Sequence, residues 1–201
     1  MPVESPGIAD TGEGAAARPA PGAGPVVEVR RVALGDRLVE PLLRELTHEY
    51  VTRYGPQARE EMSRYPAEAF AEPAGGLLLL LLVDGVPVAG GAYKRYDERT
   101  AELKRMWTHS AHRRRGLAGR VLAELERAAA AAGYTRIYLT TGPLQPEAKG
   151  LYLAHGYTPL FDVDADPLAP RGQGEDGPPG GHRPLPFEKH LPSGAPAAHP
   201  S

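Results

Sequence analysis

The chain has 201 residues, of which 24 are Gly and 22 are Pro, about twice the ~12% share that the two have in an average chain. Formal charge is −2 and there is no Cys, which excludes disulfides, a thiol nucleophile, a Cys-based zinc site and a strongly basic nucleic-acid-binding domain. The Gly/Pro excess is uneven: residues 1–25 hold ten and residues 164–201 hold fifteen, leaving a middle stretch of near-ordinary composition long enough for one domain.

Residues 1–25 are mostly Ala, Gly and Pro and bury too little apolar area to offset the entropy of ordering, so a disordered leader is expected there. One domain is expected over 26–191, with a flexible Gly/Pro-rich insertion at about 164–183 and a disordered tail at 192–201. There is no apolar signal-peptide region at the N-terminus, and the longest apolar run, Leu77–Val83, is far too short to span a membrane. A cytoplasmic protein, free of membrane and nucleic-acid partners, is the expectation.

Val26, Val27, Val29, Val32 and Leu34 suggest a first strand. Asp36 stands at an N-cap before Leu38, Leu42, Leu43 and Leu46, whose helical spacing continues towards Tyr54; Gly55-Pro56 stops that helix. A short helix is expected around Gln57 to Tyr65. Leu77–Val83 and the run from Val86 to Tyr93 flank Asp84-Gly85, a hairpin signal. A strand over Ala101 to Thr108 precedes a long helix from about Arg114 to Ala132, with Leu117, Val121, Leu125, Ala128 and Ala132 on one face and Gly133 after its end. Ile137–Leu139, Tyr157 to Val163 and Leu185 to Glu188 suggest strands, and Glu147 to His155 a helix ended by Gly156. The order predicts an α/β fold with a mixed, mostly antiparallel central sheet flanked by helices.

The junction after Thr108 carries the clearest chemistry. Arg113-x-x-Gly116-x-Ala118 opens a helix, where free backbone N–H groups and the helix dipole favour an anion. Gly116 removes a side chain from the path of a phosphate oxygen, and Arg113, Arg114 and Arg115 add positive charge. Such a loop suits a pyrophosphate; a solvated charge run with ordinary turn chemistry is the alternative. His109 and His112 lack further ligands at metal-binding spacing, so no metal is expected.

The strand, this turn, the long helix and the downstream Gln145-Pro-Glu-Ala-Lys-Gly-Leu-Tyr152-Leu-Ala-His-Gly-Tyr157 together resemble the GCN5-related N-acetyltransferase superfamily over roughly residues 26–163. The resemblance implies that acetyl-CoA is the acyl donor. It implies that Arg113, Arg114, Arg115, Gly116, Leu117 and Ala118 bind its pyrophosphate, with Gly119 and Arg120 at the edge. Met106, Trp107 and Thr108 would pair their backbone with the pantetheine arm in a V-shaped slot, and Gln145 stands where relatives carry an Asn that touches the cofactor.

The Leu151-Tyr152-x-x-x-Gly156-Tyr157 pattern implies that Tyr152 protonates the departing thiolate, against the alternative of a core aromatic. Glu102 stands where some relatives carry a general base, against the alternative of an exposed carboxylate paired with Lys104 or Arg105. Period-two alternation puts Glu102, Lys104, Met106 and Thr108 on one face. His48, Glu49, Tyr50, Arg53, Tyr54 and Arg64 lie on segments that line the acceptor pocket in relatives, and ordinary surface roles are the alternative for each.

The function expected is direct transfer of acetyl from acetyl-CoA to a primary amine, with a small molecule as acceptor and a monomer or homodimer as the assembly. An acetyltransferase for peptide or protein amino groups is one alternative. A non-catalytic acyl-CoA-binding sensor is the other.

Overall fold

A computed structural model of the protein describes residues 26–166, 168 and 183–192. The leader at 1–25, most of the insertion and the tail from 193 lie outside the described residues. The strands are β1 (Val27–Arg31), β2 (Leu77–Val83), β3 (Val86–Arg95), β4 (Thr100–Thr108), β5 (Arg136–Thr141), β6 (Thr158–Pro159) and β7 (Leu185–His190). The helices are α1 (Glu40–Tyr54), α2 (Glu60–Ser63), α3 (Leu117–Ala131) and α4 (Pro146–Ala154).

The strands form one sheet in the order β1-β2-β3-β4-β5-β7-β6, in which only β4 and β5 run parallel. The expected mixed, mostly antiparallel sheet is therefore present. β2 explains why its sequence is an unbroken apolar run rather than an alternating one. Leu77, Leu79 and Leu81 pack into a cluster with α3, while Leu78, Leu80 and Leu82 pack with Val39, Leu42 and Leu46 at α1. A central strand covered by helices on both faces has no solvent side to mark with polar residues.

Gly90 and Gly91 let both helices approach β3. A Cβ on Gly90 would meet Leu42 of α1 at 3.2 Å, and one on Gly91 would meet Leu125 at 2.9 Å and Val121 at 3.0 Å, both of α3. Opposite them β4 carries a bulge: Gly90 pairs with Trp107 and Ala92 with Lys104, so Arg105 and Met106 together face Gly91. Arg105 takes the extra residue's strain at φ +56°.

That bulge corrects the expected facing of β4. Glu102 and Lys104 do share a side, but Met106 turns to the α3 cluster and Trp107 to the α1 cluster. The inserted residue resets the alternation, and no two-residue periodicity could show it.

Other boundaries move for local reasons. Asp36 does cap, accepting from Leu38 N at 2.9 Å, but it caps a 3-10 turn, Arg37–Val39, that precedes α1. The long helix starts at Leu117 rather than Arg114, because Arg114 (φ +59°) and Gly116 (φ +74°) are both left-handed. The strand expected over Tyr157 to Val163 shrinks to Thr158–Pro159, after which the chain turns with Asp164 N donating to Asp162 Oδ1.

Candidate active site

β4 and β5 pair only over Thr100↔Arg136, Ala101↔Ile137 and Glu102↔Tyr138. β4 runs on to Thr108 and β5 to Thr141 without further pairing between them, so the strands splay and their facing edges keep free backbone groups. A cavity of about 1010 Å³ opens at this splay. Leu103, Lys104, Arg105 and Met106 of β4 form one wall, and Thr140, Thr141, Ala148 and Tyr152 another. Tyr50 and Tyr54 of α1 and the α2 region from Glu60 to Tyr65 cover it. Its size is at the upper end for a small-molecule site, enough for two ligands that meet.

Tyr152 is 5% exposed and packs its ring 5.5 Å from both Tyr157 and Phe187. It lines the cavity, and its hydroxyl has no hydrogen-bond partner among the described residues. Burial first, and then the neighbouring Tyr50, push its pKa well above the ordinary phenol value, so it stays protonated. Tyr50 is pushed up to about 12 by burial and by Glu61, Tyr54 and Glu49, an effect partly offset by the nearby Gln145 side chain. Gln145 in turn uses its carbonyl within its own turn, accepting from Thr141 Oγ1 at 3.1 Å and Gly142 N at 3.2 Å.

Glu102 sits beside the cavity rather than among its lining residues. Its side chain is 8% exposed and lies 2.6 Å from Lys94 Nζ and 2.9 Å from Lys104 Nζ. Burial alone would raise its pKa, but the two ammonium groups outweigh that and hold the carboxyl below the usual range. Of the ion pairs expected for Glu102, the one with Lys104 forms; the second is with Lys94 instead of Arg105, and both are buried. The ring of Tyr65 covers the two lysines, at 4.6 Å from Lys94 and 5.4 Å from Lys104.

Beyond Met106, β4 leaves the cavity and enters the turn before α3. The N–H groups of Leu117, Ala118 and Gly119 precede the first helical bond, which runs from Arg120 N to Gly116 O. A Cβ on Gly116 would meet nothing within 4 Å, so the loop surface there is open to an approaching anion. The Oγ1 of Thr108 is buried without a partner at the end of β4. Free N–H groups, an open left-handed glycine and an unpaired strand edge fit a ligand with a phosphate head and an extended amide arm.

The three arginines separate. Arg113 donates to Glu49 at 2.8 Å, whereas Arg114 and Arg115 are exposed. Arg120 donates to Val27 O at 3.1 Å and so serves β1. Gly119 makes room for His155, whose Nε2 would lie 2.5 Å from an added Cβ. His109 and His112 stack edge to face at 5.5 Å, and no group of three or more metal-ligating side chains occurs among the described residues.

α1 holds this frame together through Glu45, which motif reading passed over, and through Glu49 and Arg53, which brace the site without lining the cavity. Glu45 accepts from Trp107 Nε1 and Ser110 N, each at 3.1 Å, and from Ser110 Oγ at 3.3 Å. Burial raises its pKa, and those donors with the nearby His109 bring it below the usual carboxylate range. Glu49 bridges Arg113 to Arg53, and Arg53 reaches Leu144 O at 2.6 Å and pairs with Glu147 on α4. Glu45, Glu49 and Arg53 stand at a four-residue spacing on one helix face, the only sequence signal they carry. Of the α1 candidates named from sequence, Tyr50 and Tyr54 reach the cavity and His48 does not. Arg64 also reaches it.

Comparison with known proteins agrees with this geometry. The chain is 37% identical over 90 residues to the uncharacterized N-acetyltransferase YsnE of Bacillus subtilis, a match that covers 42% of this chain and 60% of that protein. Among solved structures, an acetyltransferase from Streptococcus agalactiae superposes with a TM-score of 0.61 at 16% identity, covering 82% of this chain and 98% of that one. YncA from Salmonella typhimurium, solved with acetyl-CoA, superposes with a TM-score of 0.60 at 16% identity, over 87% and 99% of the two chains. Both share the fold. No helix among the described residues is long and apolar enough to cross a membrane. Residues 40–157, more than half of the chain, match the family model for the acetyltransferase (GNAT) family, and to that family the chain belongs.

Proposed function

We propose that the protein transfers the acetyl group of acetyl-CoA directly to the amino group of a small molecule. The observation that carries this reading is the single cavity between β4, β5, α1 and α2, with the unpartnered phenol of Tyr152 on its wall. The YncA structure holds acetyl-CoA and this chain shares its fold, with an open left-handed Gly116 at the start of α3.

The pyrophosphate rests on the N–H groups of Leu117 to Gly119, and the pantetheine arm adds to the free edge of β4. The amine nitrogen attacks the thioester carbonyl carbon, and backbone N–H groups on that edge stabilise the charge that develops on its oxygen. The C–S bond breaks, and Tyr152 donates to the departing thiolate. With both oxygens of Glu102 held by lysines, that residue supports Lys94 and Lys104, and water in the cavity takes the amine's proton.

A small acceptor is favoured over a peptide because α1 closes one end of the cavity. Leu144 N donates to Tyr54 Oη at 3.2 Å and Arg53 donates to Leu144 O, so the groove is bridged where an extended chain would pass. Calorimetry with acetyl-CoA, followed by amine and peptide panels monitored for free thiol, tests the reading. Heat with acetyl-CoA and thiol release with small amines support it; no heat, or release with peptides alone, overturns it.

A further inference from the structure

Resting on the acetyltransfer reading, the geometry points to a second feature of the acceptor: it is an amine that also carries a carboxylate, and Arg105 receives that carboxylate. Among the cations that line the cavity, Lys104, Arg64 and Arg105, only Arg105 has no carboxylate partner among the described residues. Lys94 and Lys104 are answered by Glu102, and Lys104 and Arg64 also by Glu61 at 3.7 and 3.4 Å. Arg105 has no carboxylate within 4 Å among the described residues, although it is only 7% exposed.

Its hydrogen bonding is as incomplete as its charge balance. Nη2 donates to Met62 O at 3.0 Å and Nη1 faces Met62 Sδ at 3.6 Å, while the guanidinium lies 4.7 Å over the Phe70 ring. Nε is buried with no partner, and one hydrogen on each terminal nitrogen remains without a protein acceptor. Burial draws the pKa down, partly offset by Glu61 and Tyr50, but a guanidinium stays charged in proteins. A buried cation without a counterion is costly, and a ligand that supplies one is bound correspondingly well.

The backbone repeats the point. Arg105 is the bulge residue, at φ +56°, where a long side chain is rare and Gly or Asn would sit with less strain. The bulge swings Arg105 to the same side as Lys104 and into the cavity wall. Strain, burial and unmet charge meet in one residue that lines the site, which is the pattern of a ligand-binding position. A planar fork with a single surplus charge matches a carboxylate better than a phosphate ester, which carries more charge than one guanidinium neutralises.

The test compares α- and ω-amino acids with their neutral amides, and with aminoalkyl phosphates, as acceptors at saturating acetyl-CoA. The expected result is a kcat/KM for the acids about 10- to 100-fold above that for the amides, mainly through KM. Arg105→Asn brings this ratio near one and Arg105→Lys restores part of it, with acetyl-CoA binding measured by calorimetry as proof of folding. Equal rates for acids and amides, a preference for the phosphates, or an unchanged ratio in Arg105→Asn overturns the inference while leaving acetyltransfer intact. Thiol release with neutral amines only, or with none of these acceptors, overturns it as well. Failure of acetyl-CoA to bind the wild-type protein is instead the failure of the underlying reading.

Discussion

The two ends of the site are built from different materials. In the proposed function, the donor end consists of backbone: the open edge of β4, the left-handed Gly116 and the free N–H groups at the start of α3. The acceptor end consists of side chains from α1, α2, β3 and β4, whose charges meet only after folding. Backbone recognition needs a local conformation, and therefore a short motif with a glycine in it. Side-chain recognition needs only that distant residues converge, and leaves no spacing to read.

If that contrast holds, substitutions at the two ends should fail differently. Tyr152 stands where the ends meet, so Tyr152→Phe is expected to lower kcat by about 10²- to 10⁴-fold while the acetyl-CoA Kd, read by calorimetry, moves less than threefold. An unchanged kcat would reduce the phenol to packing and favour a binding protein over an enzyme.

Glu102→Gln breaks the acceptor end. It leaves the partly buried Lys94 without a carboxylate and Lys104 with Glu61 alone, at a cost of about 1.5–3 kcal/mol in chemical denaturation, with donor affinity kept in the folded fraction. Because the folded pKa of Glu102 lies below its unfolded value of about 4.3, this stabilisation is full above that pH and is lost as pH falls through the folded value. The gap between wild type and variant should therefore close in acid. A gap that stays constant from pH 7 to pH 3 would show that the carboxylate charge is not what stabilises.

Gly116→Val breaks the donor end instead. A β-branched residue at φ +74° costs about 1–3 kcal/mol of local strain, relieved by a shift of the loop, and donor affinity should fall about tenfold. Lowered stability with unchanged affinity would move the pyrophosphate elsewhere.

The smallest effect is expected at Glu45→Gln, which ties the loop to α1 without touching either ligand. About 1–2 kcal/mol of stability should go, seen as a lower Tm, with a few-fold rise in KM for acetyl-CoA and none for the amine. Its contribution too is lost in acid, since its carboxyl titrates below the usual range. A rise in both KM values would mean that α1 couples the two ends rather than bracing one.

Several elements are legible in the residues themselves. The β2–β3 hairpin follows from Asp84-Gly85 between apolar runs, and α3 from the spacing of Leu117, Val121, Leu125 and Ala128 before Gly133, although Ala132, expected on the same face, is exposed. The turn that opens α3 is legible for the same reason, since a glycine in Arg113-x-x-Gly116-x-Ala118 takes the left-handed conformation there. The bulge is not: nothing in Lys104-Arg105-Met106 differs from a regular strand, and the extra residue is accommodated only because Gly91 opposite it has no side chain. Glu45 reads as an ordinary exposed helix position until β4 and the loop after it arrive above it.

The sequence by itself therefore determined the order of elements, the mixed sheet and the loop that opens α3, because periodicity, turns and caps act over a few residues. The tertiary structure alone decided which way β4 faces after Lys104, which carboxylates are already spent on lysines, and which cation is left over. Those are sums over segments far apart in the chain, as with the 62 residues between Glu45 and Trp107. Charge balance in a buried site is a property of the neighbourhood, and only folding creates the neighbourhood.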